Sequence, residues 1–437
     1  MIQNKKLVLS FLMAVLACSS VPVVAQSAYS NPSNLTSSPY TRYGFGKLGN
    51  VGNTSTRGMG DAGIATRTNL YTNLFNPASL TAIDTLTMLF DVAFDAEWLT
   101  LSESGKSDSK WDAGISYLSF HFPLWNRFAG SFSYMPYSMV GYEYGSTGSE
   151  PYESGLTIND TISYSNVQTG NGGLQHFQLS MGWNPLKTKI SRLDVGATVG
   201  YICGYVAHTG AMTQSQTTIN STSSSKDFSC IGWDLNLGAQ FTRQIQPGKR
   251  VVVGATYSPK THIGCDASVT SGSGSDSNDS RENRLSLSAP QKFGAGLSYQ
   301  IDRKLTATVE YAFEGWANLK GLANNMTESS DVYQNVNRFA AGVEYRPRLY
   351  AQNYFQACIY RAGFSVRDSY IKEFSNQKEY SATCGMSFPI ASRSLINLSA
   401  SYHHVQPDNS SLLKENSLRL TLGITFNEMM FYRSKLR

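Results

Sequence analysis

Long runs in which apolar and polar residues strictly alternate limit what this chain can become. The clearest lies between 193 and 207. Leu193, Val195, Ala197, Val199, Tyr201, Cys203 and Tyr205 share one parity, and Asp194, Gly196, Thr198 and Gly200 the other. Successive side chains of a strand point to opposite faces, so the run makes a strand with one apolar and one polar face. From Leu86 the same holds: Leu86, Met88, Phe90, Val92, Phe94 and Ala96 face one way, and Thr87, Asp91, Asp95 and Glu97 the other. The pattern returns at 231–241, 251–265, 285–299, 305–313, 339–345, 380–388, 396–402 and 418–426. A soluble sandwich would have shorter strands and fewer outward aromatics. Apolar-out, polar-in strands suit a transmembrane β-barrel, and the negative mean hydropathy is ordinary for one.

The connections between these strands alternate in length. Short turns are expected near 125–126, 185–191, 246–249, 302–303, 346–353 and 391–392. Long loops are expected near 101–111, 138–173, 209–226, 267–282, 316–333, 367–378 and 404–415. Six short and seven long connections make thirteen, hence fourteen antiparallel strands with both ends on the short-turn side. Short turns face the periplasm and long loops the exterior in such barrels. Trp125 and Trp183 fall near the short turns, and Trp98, Trp111 and Trp316 near the long loops, as two interfacial belts would require.

The stretch from Arg57 to Asp84 breaks the pattern. RGMGDAGIATRTNLYTNLFNPASLTAID has neither a strand nor a helix period. Its Arg, Asp, Thr and Asn side chains supply donors and acceptors for a backbone with few regular partners. Gly58, Gly60 and Gly63 permit tight turns near a wall. These features fit a plug inside a polar lumen. The three glycines also satisfy G-x-G-x-x-G, but a dinucleotide fingerprint needs a hydrophobic strand before it and a helix after it. Here a Thr/Asn-rich context surrounds it.

Gly60 to Thr66, followed by Asn76-Pro77-Ala78-Ser79-Leu80, resembles the N-terminal hatch of the FadL outer-membrane transporters of long-chain fatty acids and aromatic hydrocarbons. With Ser38 to Gly44 upstream, the chain is most similar to the Bacteroidota branch of that family. The resemblance implies a 14-stranded barrel, a hatch that includes Gly58, Gly60, Gly63, Asn76, Pro77 and Ala78, and an inward kink of the third strand that opens a side exit. None of the family's ligand-contacting residues matches a motif here.

Three segments follow. Residues 1–25 read as a signal peptide: Lys5 and Lys6, then the apolar run Leu7 to Leu16, then Val23-Val24-Ala25 as a cleavage site. The rival is a lipoprotein box at Leu16-Ala17-Cys18. Residues 26–84 are an extension and hatch, and residues 85–437 the barrel. The formal charge is +5, and removing Lys5 and Lys6 leaves 5 − 2 = +3. That gives no reason to expect nucleic acid. Export would place the protein in the outer membrane of a Gram-negative bacterium.

No catalytic motif, cofactor or metal site is expected. There is no G-x-S-x-G or C-x-x-C, and His403 and His404 point to opposite faces. Asp91, Asp95 and Glu97 line one strand face, opposite Arg192, Arg284, Lys292, Arg338, Arg346, Arg361 and Arg419. This is read as a mixed-charge network binding plug to wall. Losing Cys18 with the signal leaves five of six cysteines. Cys203 faces out and Cys230 in, so they cannot bridge, whereas Cys358 and Cys384 both face out on adjacent strands and are candidates for a pair. The rest look like small apolar residues.

The first three strands carry unusually apolar inward positions: Leu89, Ile115, Tyr117 and Met135. They are the candidate ligand-binding residues. Pro136 follows; it cannot donate to a ladder and belongs at edges, ends or bulges. It either shapes a lateral exit or simply ends the strand. The expected function is a passive channel for a hydrophobic small molecule of fatty-acid type, leaving sideways into outer-membrane lipid. The alternative is a structural barrel that scaffolds surface lipoproteins, a secretion machine or a barrel-assembly complex.

Overall fold

The structure is a computed structural model. It describes residues 36–429, apart from 104, 155–156, 215–221, 274–275, 282–284, 303, 323–327, 330, 348–352, 375–376, 392–393 and 407–412. The signal peptide, the lipoprotein box, Arg284 and the basic C-terminal tail lie outside the described residues.

Fourteen antiparallel strands form a closed ring. They are β1 (Thr87–Glu103), β2 (Lys106–Trp125), β3 (Phe128–Ser154), β4 (Thr157–Lys187), β5 (Ser191–Gln214) and β6 (Thr222–Gln246). β7 comprises Lys249–Ser258 and Thr261–Ser273, and β8 comprises Asp276–Arg281, Leu285–Ala289 and Gln291–Ile301. β9 (Leu305–Gly315), β10 (Val336–Tyr345), β11 (Ile359–Asp368), β12 (Lys378–Ala391), β13 (Ser394–Gln406) and β14 (Lys414–Met429) complete the ring. β1 pairs with β14 from Thr87↔Met429 to Ser102↔Lys414, which closes it. The alternation places Phe94, Trp98, Ile231, Trp233, Leu398 and Leu420 outward and exposed, while Asp91, Asp194, Gln240 and Thr425 are buried inside.

Several expected loops are strands instead. β3 and β4 run for 27 and 31 residues, so the stretch 138–173 is a tall hairpin rather than a loop. β5 and β6 have 24 and 25 residues, and their pairing reaches Met212↔Thr222. By contrast β9, β10 and β11 have 11, 10 and 10. About 9–11 residues suffice to cross a bilayer, so β3 to β8 stand far taller than β9 to β13. Ser, Thr and Gly dominate the tall part and hide its strand character, because neighbouring strands rather than side-chain preference hold it.

Two irregularities invert the parity read from sequence. In β2 a bulge at Ser116 slips the register between Ala93↔Tyr117 and Phe94↔Ile115. A bulge adds one unpaired residue to one strand, so Tyr117 faces inward but Ile115 faces outward, 49% exposed. This corrects the expectation that both line the interior. In β7, Pro259 and Lys260 interrupt the strand, and the ladder to β6 is broken between Leu237↔Tyr257 and Gly232↔Ile263. Past the break Ile263, Cys265 and Ala267 are the buried set, where strict alternation would turn them out. Cys265 thereby meets Cys230 across the ladder, and the two form a disulfide. Cys358 and Cys384 are free, because Ala362 is the residue opposite Cys384.

At the long-loop end an apolar cluster caps the interior. It gathers Phe45, the disulfide, Trp316, Tyr333, Ile371 and Phe374. Trp316 is fully buried there and donates to Glu314 (2.8 Å), so it belongs to no outer belt. Trp98, Trp111, Trp125 and Trp183 are exposed outward.

Candidate functional site

The segment from Thr36 to Ile83 touches the inward face of the ring all the way round. Asn53 caps a single helical turn, Thr54–Arg57, by accepting from Thr56 N. That turn sends Arg57 to Asp95 on β1 (2.6 Å). Tyr117 on β2 accepts from Thr54 N at 3.0 Å, and His121 of β2 lies 2.9 Å from the Leu80 carbonyl. Asn76 caps the 3₁₀ turn Pro77–Ala82 by accepting from Ala78 N, and its amide donates to the Ile64 and Ala239 carbonyls. Glu310 on β9 accepts from Gly63 N and Ile64 N, both at 2.8 Å, and pairs with Arg338. Thr383 on β12 accepts from Gly60 N.

Two glycine positions show how tight the fit is. Gly60 has φ +69°, which favours glycine, and lies between the backbones of β10 and β11. A Cβ on Gly196 of β5 would sit 2.5 Å from the Pro77 carbonyl carbon. Of the sequence candidates, Gly58, Gly60, Gly63, Asn76, Pro77 and Ala78 are all buried in this contact.

Most inward charges are matched. Arg67 pairs with Asp194 (3.1 Å), Arg192 with Asp194 (2.9 Å), Arg361 with Glu344 (2.8 Å), and Glu97 takes both Lys47 (2.7 Å) and Arg419 (3.0 Å). Asp95 and Glu97 are therefore held by cations, and Asp91 accepts from Tyr117 (3.2 Å). Near the long-loop end Tyr40 donates to the Leu413 carbonyl at 2.6 Å. Burial, with the Glu415 carboxylate adding to it, pushes the Tyr40 phenol up to about 12, so it stays a donor.

Three of the four candidate ligand residues are covered by the chain itself. Tyr117 and Met135 pack with Leu74 and Val51, and Leu89 packs with Leu80 and Ile83. An interior cavity of about 370 Å³ is bordered by Lys47, Lys292, Glu314 and Arg367 and by Val51, Phe75, Met135 and Phe313, among others. It is a mixed space, with both charge signs set among apolar side chains.

Among the described residues the wall has one long gap. β2 and β3 pair only from Trp125↔Phe128 to Leu118↔Tyr134. Beyond that β2 continues with β1 to Lys106, and β3 continues with β4 to Ser154, but not with each other. Pro136 stands at the start of the gap, on a bulge centred at Tyr137. It does not end β3. On the inner side the freed edge of β3 takes Lys47–Leu48 as a short strand, Lys47↔Met139 and Leu48↔Ser138, and Gly49 N donates to the Tyr137 carbonyl. Ile115, outward, stands at the rim of the gap with Pro136.

With that geometry in hand, the comparisons bear on family and fold. The family description BamG matches residues 4–437. The chain belongs to the BamG family. No curated protein matches its sequence. Among solved structures, this BamG-family chain is similar to the Ralstonia pickettii toluene transporter TbuX, at 16% identity and TM-score 0.56, over 87% of this chain and 98% of that one. It is similar to the Pseudomonas putida toluene transporter TodX, at 14% identity and TM-score 0.54, over 89% and 99%. A Pseudomonas aeruginosa FadL homologue matches at 12% identity and TM-score 0.54, over 88% and 99%. At such identities the likeness is one of fold. The FadL-like barrel expected from the Gly60–Thr66 and Asn76–Leu80 motifs is thus present, under a different family name.

Proposed function

We propose that this chain is an outer-membrane barrel, closed from within by residues 57–84 acting as a hatch, that serves as a structural subunit of a larger outer-membrane complex. Residues 1–25 would direct export, residues 26–84 form extension and hatch, and residues 85–437 the barrel. The upstream Ser38–Gly44 motif supports a place in the Bacteroidota branch. One observation carries the scaffold reading. The apolar wall positions Leu89 and Tyr117 are filled by Leu74, Leu80 and Ile83 of the same chain, and the remaining cavity sets Lys47, Lys292, Glu314 and Arg367 among apolar side chains such as Met135, Phe75 and Phe313. The charged groups in that lining disfavour a wholly apolar ligand, which would strip them of water. The name BamG of the matching family also hints at a multi-component assembly. The test is purification of the full chain from cells in mild detergent. Stoichiometric surface lipoproteins or other barrels are expected; a barrel that comes away alone, carrying a hydrophobic compound, would reverse the conclusion.

A second reading, a passive uptake channel with a lateral exit, is favoured by the β2–β3 gap, which begins beside Pro136. The toluene transporters of similar fold lend it support. Uptake of a hydrophobic probe by cells with and without the protein separates the two.

A further inference from the structure

Behind the β2–β3 gap lies a recess of about 30 Å³. Asp112 and Ser116 of β2 project into it, only 7% and 3% exposed. The Asp112 Oδ1 accepts from Ser37 (2.7 Å), but its Oδ2 has no partner, and neither has the Ser116 hydroxyl. The nearby cations are engaged elsewhere. Arg57 holds Asp95 and the Gly52 carbonyl, and Arg419 holds Glu97. A buried carboxylate oxygen and a buried hydroxyl therefore border one small space without a partner, an arrangement that is costly unless something fills it.

We propose that this recess receives an ammonium group carried on a lipid headgroup. An ammonium offers three donors and no acceptor in a compact volume. Its charge suits a carboxylate oxygen, and its size suits a space that holds little more than a water. The recess is backed by Gly49, Asn50 and Arg57, and its rim is Ile115 and Pro136. Ile115 is outward, and Phe94 opposite it on β1 is 51% exposed. Trp98 and Trp111 stack edge to face just beyond them, at 6.3 Å between centroids. Exposed Trp pairs sit at headgroup level, so a tail can lie along Phe94 and Ile115 while its amine enters the gap. This rests on the membrane placement proposed above.

The experiment uses the full chain in detergent micelles and reads retained lipid by native mass spectrometry. Micelles carry phosphatidylethanolamine or its N-acetyl derivative, which keeps the phosphate and tails but loses the ammonium. Wild type should retain the amine lipid about tenfold better, as expected from one hydrogen bond to a charged group. Asp112→Asn and Ser116→Ala should each erode that preference while heat-modifiable mobility shows a folded barrel. Equal retention of both lipids by wild type would mean that the recess holds water only and would overturn the proposal. A preference that survives in both folded variants would overturn it too. Displacement by millimolar glycerophosphoethanolamine would support the ammonium pocket and overturn its lipid source. Outer-membrane fractionation is scored separately, so a failure of the membrane placement is distinguishable from a failure of the pocket.

Discussion

At the scale of single residues, the interior is held by matched charges, several with partners far apart in sequence. Arg67 and Asp194 are almost fully enclosed, with side chains 5% and 0% exposed. Removing one partner leaves the other buried and unpaired. Asp194→Asn should therefore destabilise the folded barrel by about 3–5 kcal/mol, read as a shift in urea unfolding. Cys230→Ser should cost about 4 kcal/mol, since the bridge to Cys265 closes a loop with a sequence separation of 35. A lower thermal midpoint in the variant, and in reduced wild type, is the measurement. Sequence reasoning reached the inward side of Leu89, Tyr117 and Met135 because the alternation there is unbroken over the relevant span. It missed Ile115, Cys265 and the Asp112–Ser116 pair for one physical reason. A bulge or an interrupted strand reverses every later side chain, and neither Ser116 nor Lys260 announces one. Pro259 was a readable warning.

At the scale of elements, the β2–β3 gap and the segment that lines it belong together. The ladder stops at Leu118↔Tyr134, and Lys47–Leu48 takes up the freed edge of β3. Pro136→Val restores a backbone donor and adds a residue that favours strand. The scaffold reading expects normal amounts of folded barrel and unchanged uptake of a hydrophobic probe. Slower uptake in the variant, at equal barrel amounts, would favour the channel. The number of strands was legible from connections alone, because turns and loops alternate whatever their lengths. Strand heights were not. Thr157–Lys187 is a single strand, yet its Ser, Asn and Gly content reads as loop until its neighbours supply the hydrogen bonds.

At the scale of the whole molecule, the ring is wide enough that its own side chains do not fill it; barrels of this size need something further in the lumen. Deleting residues 57–80 should raise outer-membrane permeability to a large polar antibiotic, provided the shortened barrel assembles. An assembled deletion with unchanged permeability would remove the hatch from the account. The inner segment also bears on how the protein is made. Ser38 donates to Glu415 at a separation of 377 residues, and Ser55 reaches Asn397 across 342. The ring itself is sealed only where the first strand meets the last. Contacts so distant in sequence are slow to form. The inner segment can meet its early-strand partners first, but its contacts to the last strand wait until that strand exists and the seam closes. A chain stalled before β14 would lack the partners of Ser38 and Tyr40, so truncation at the far end should expose the near end to proteases first.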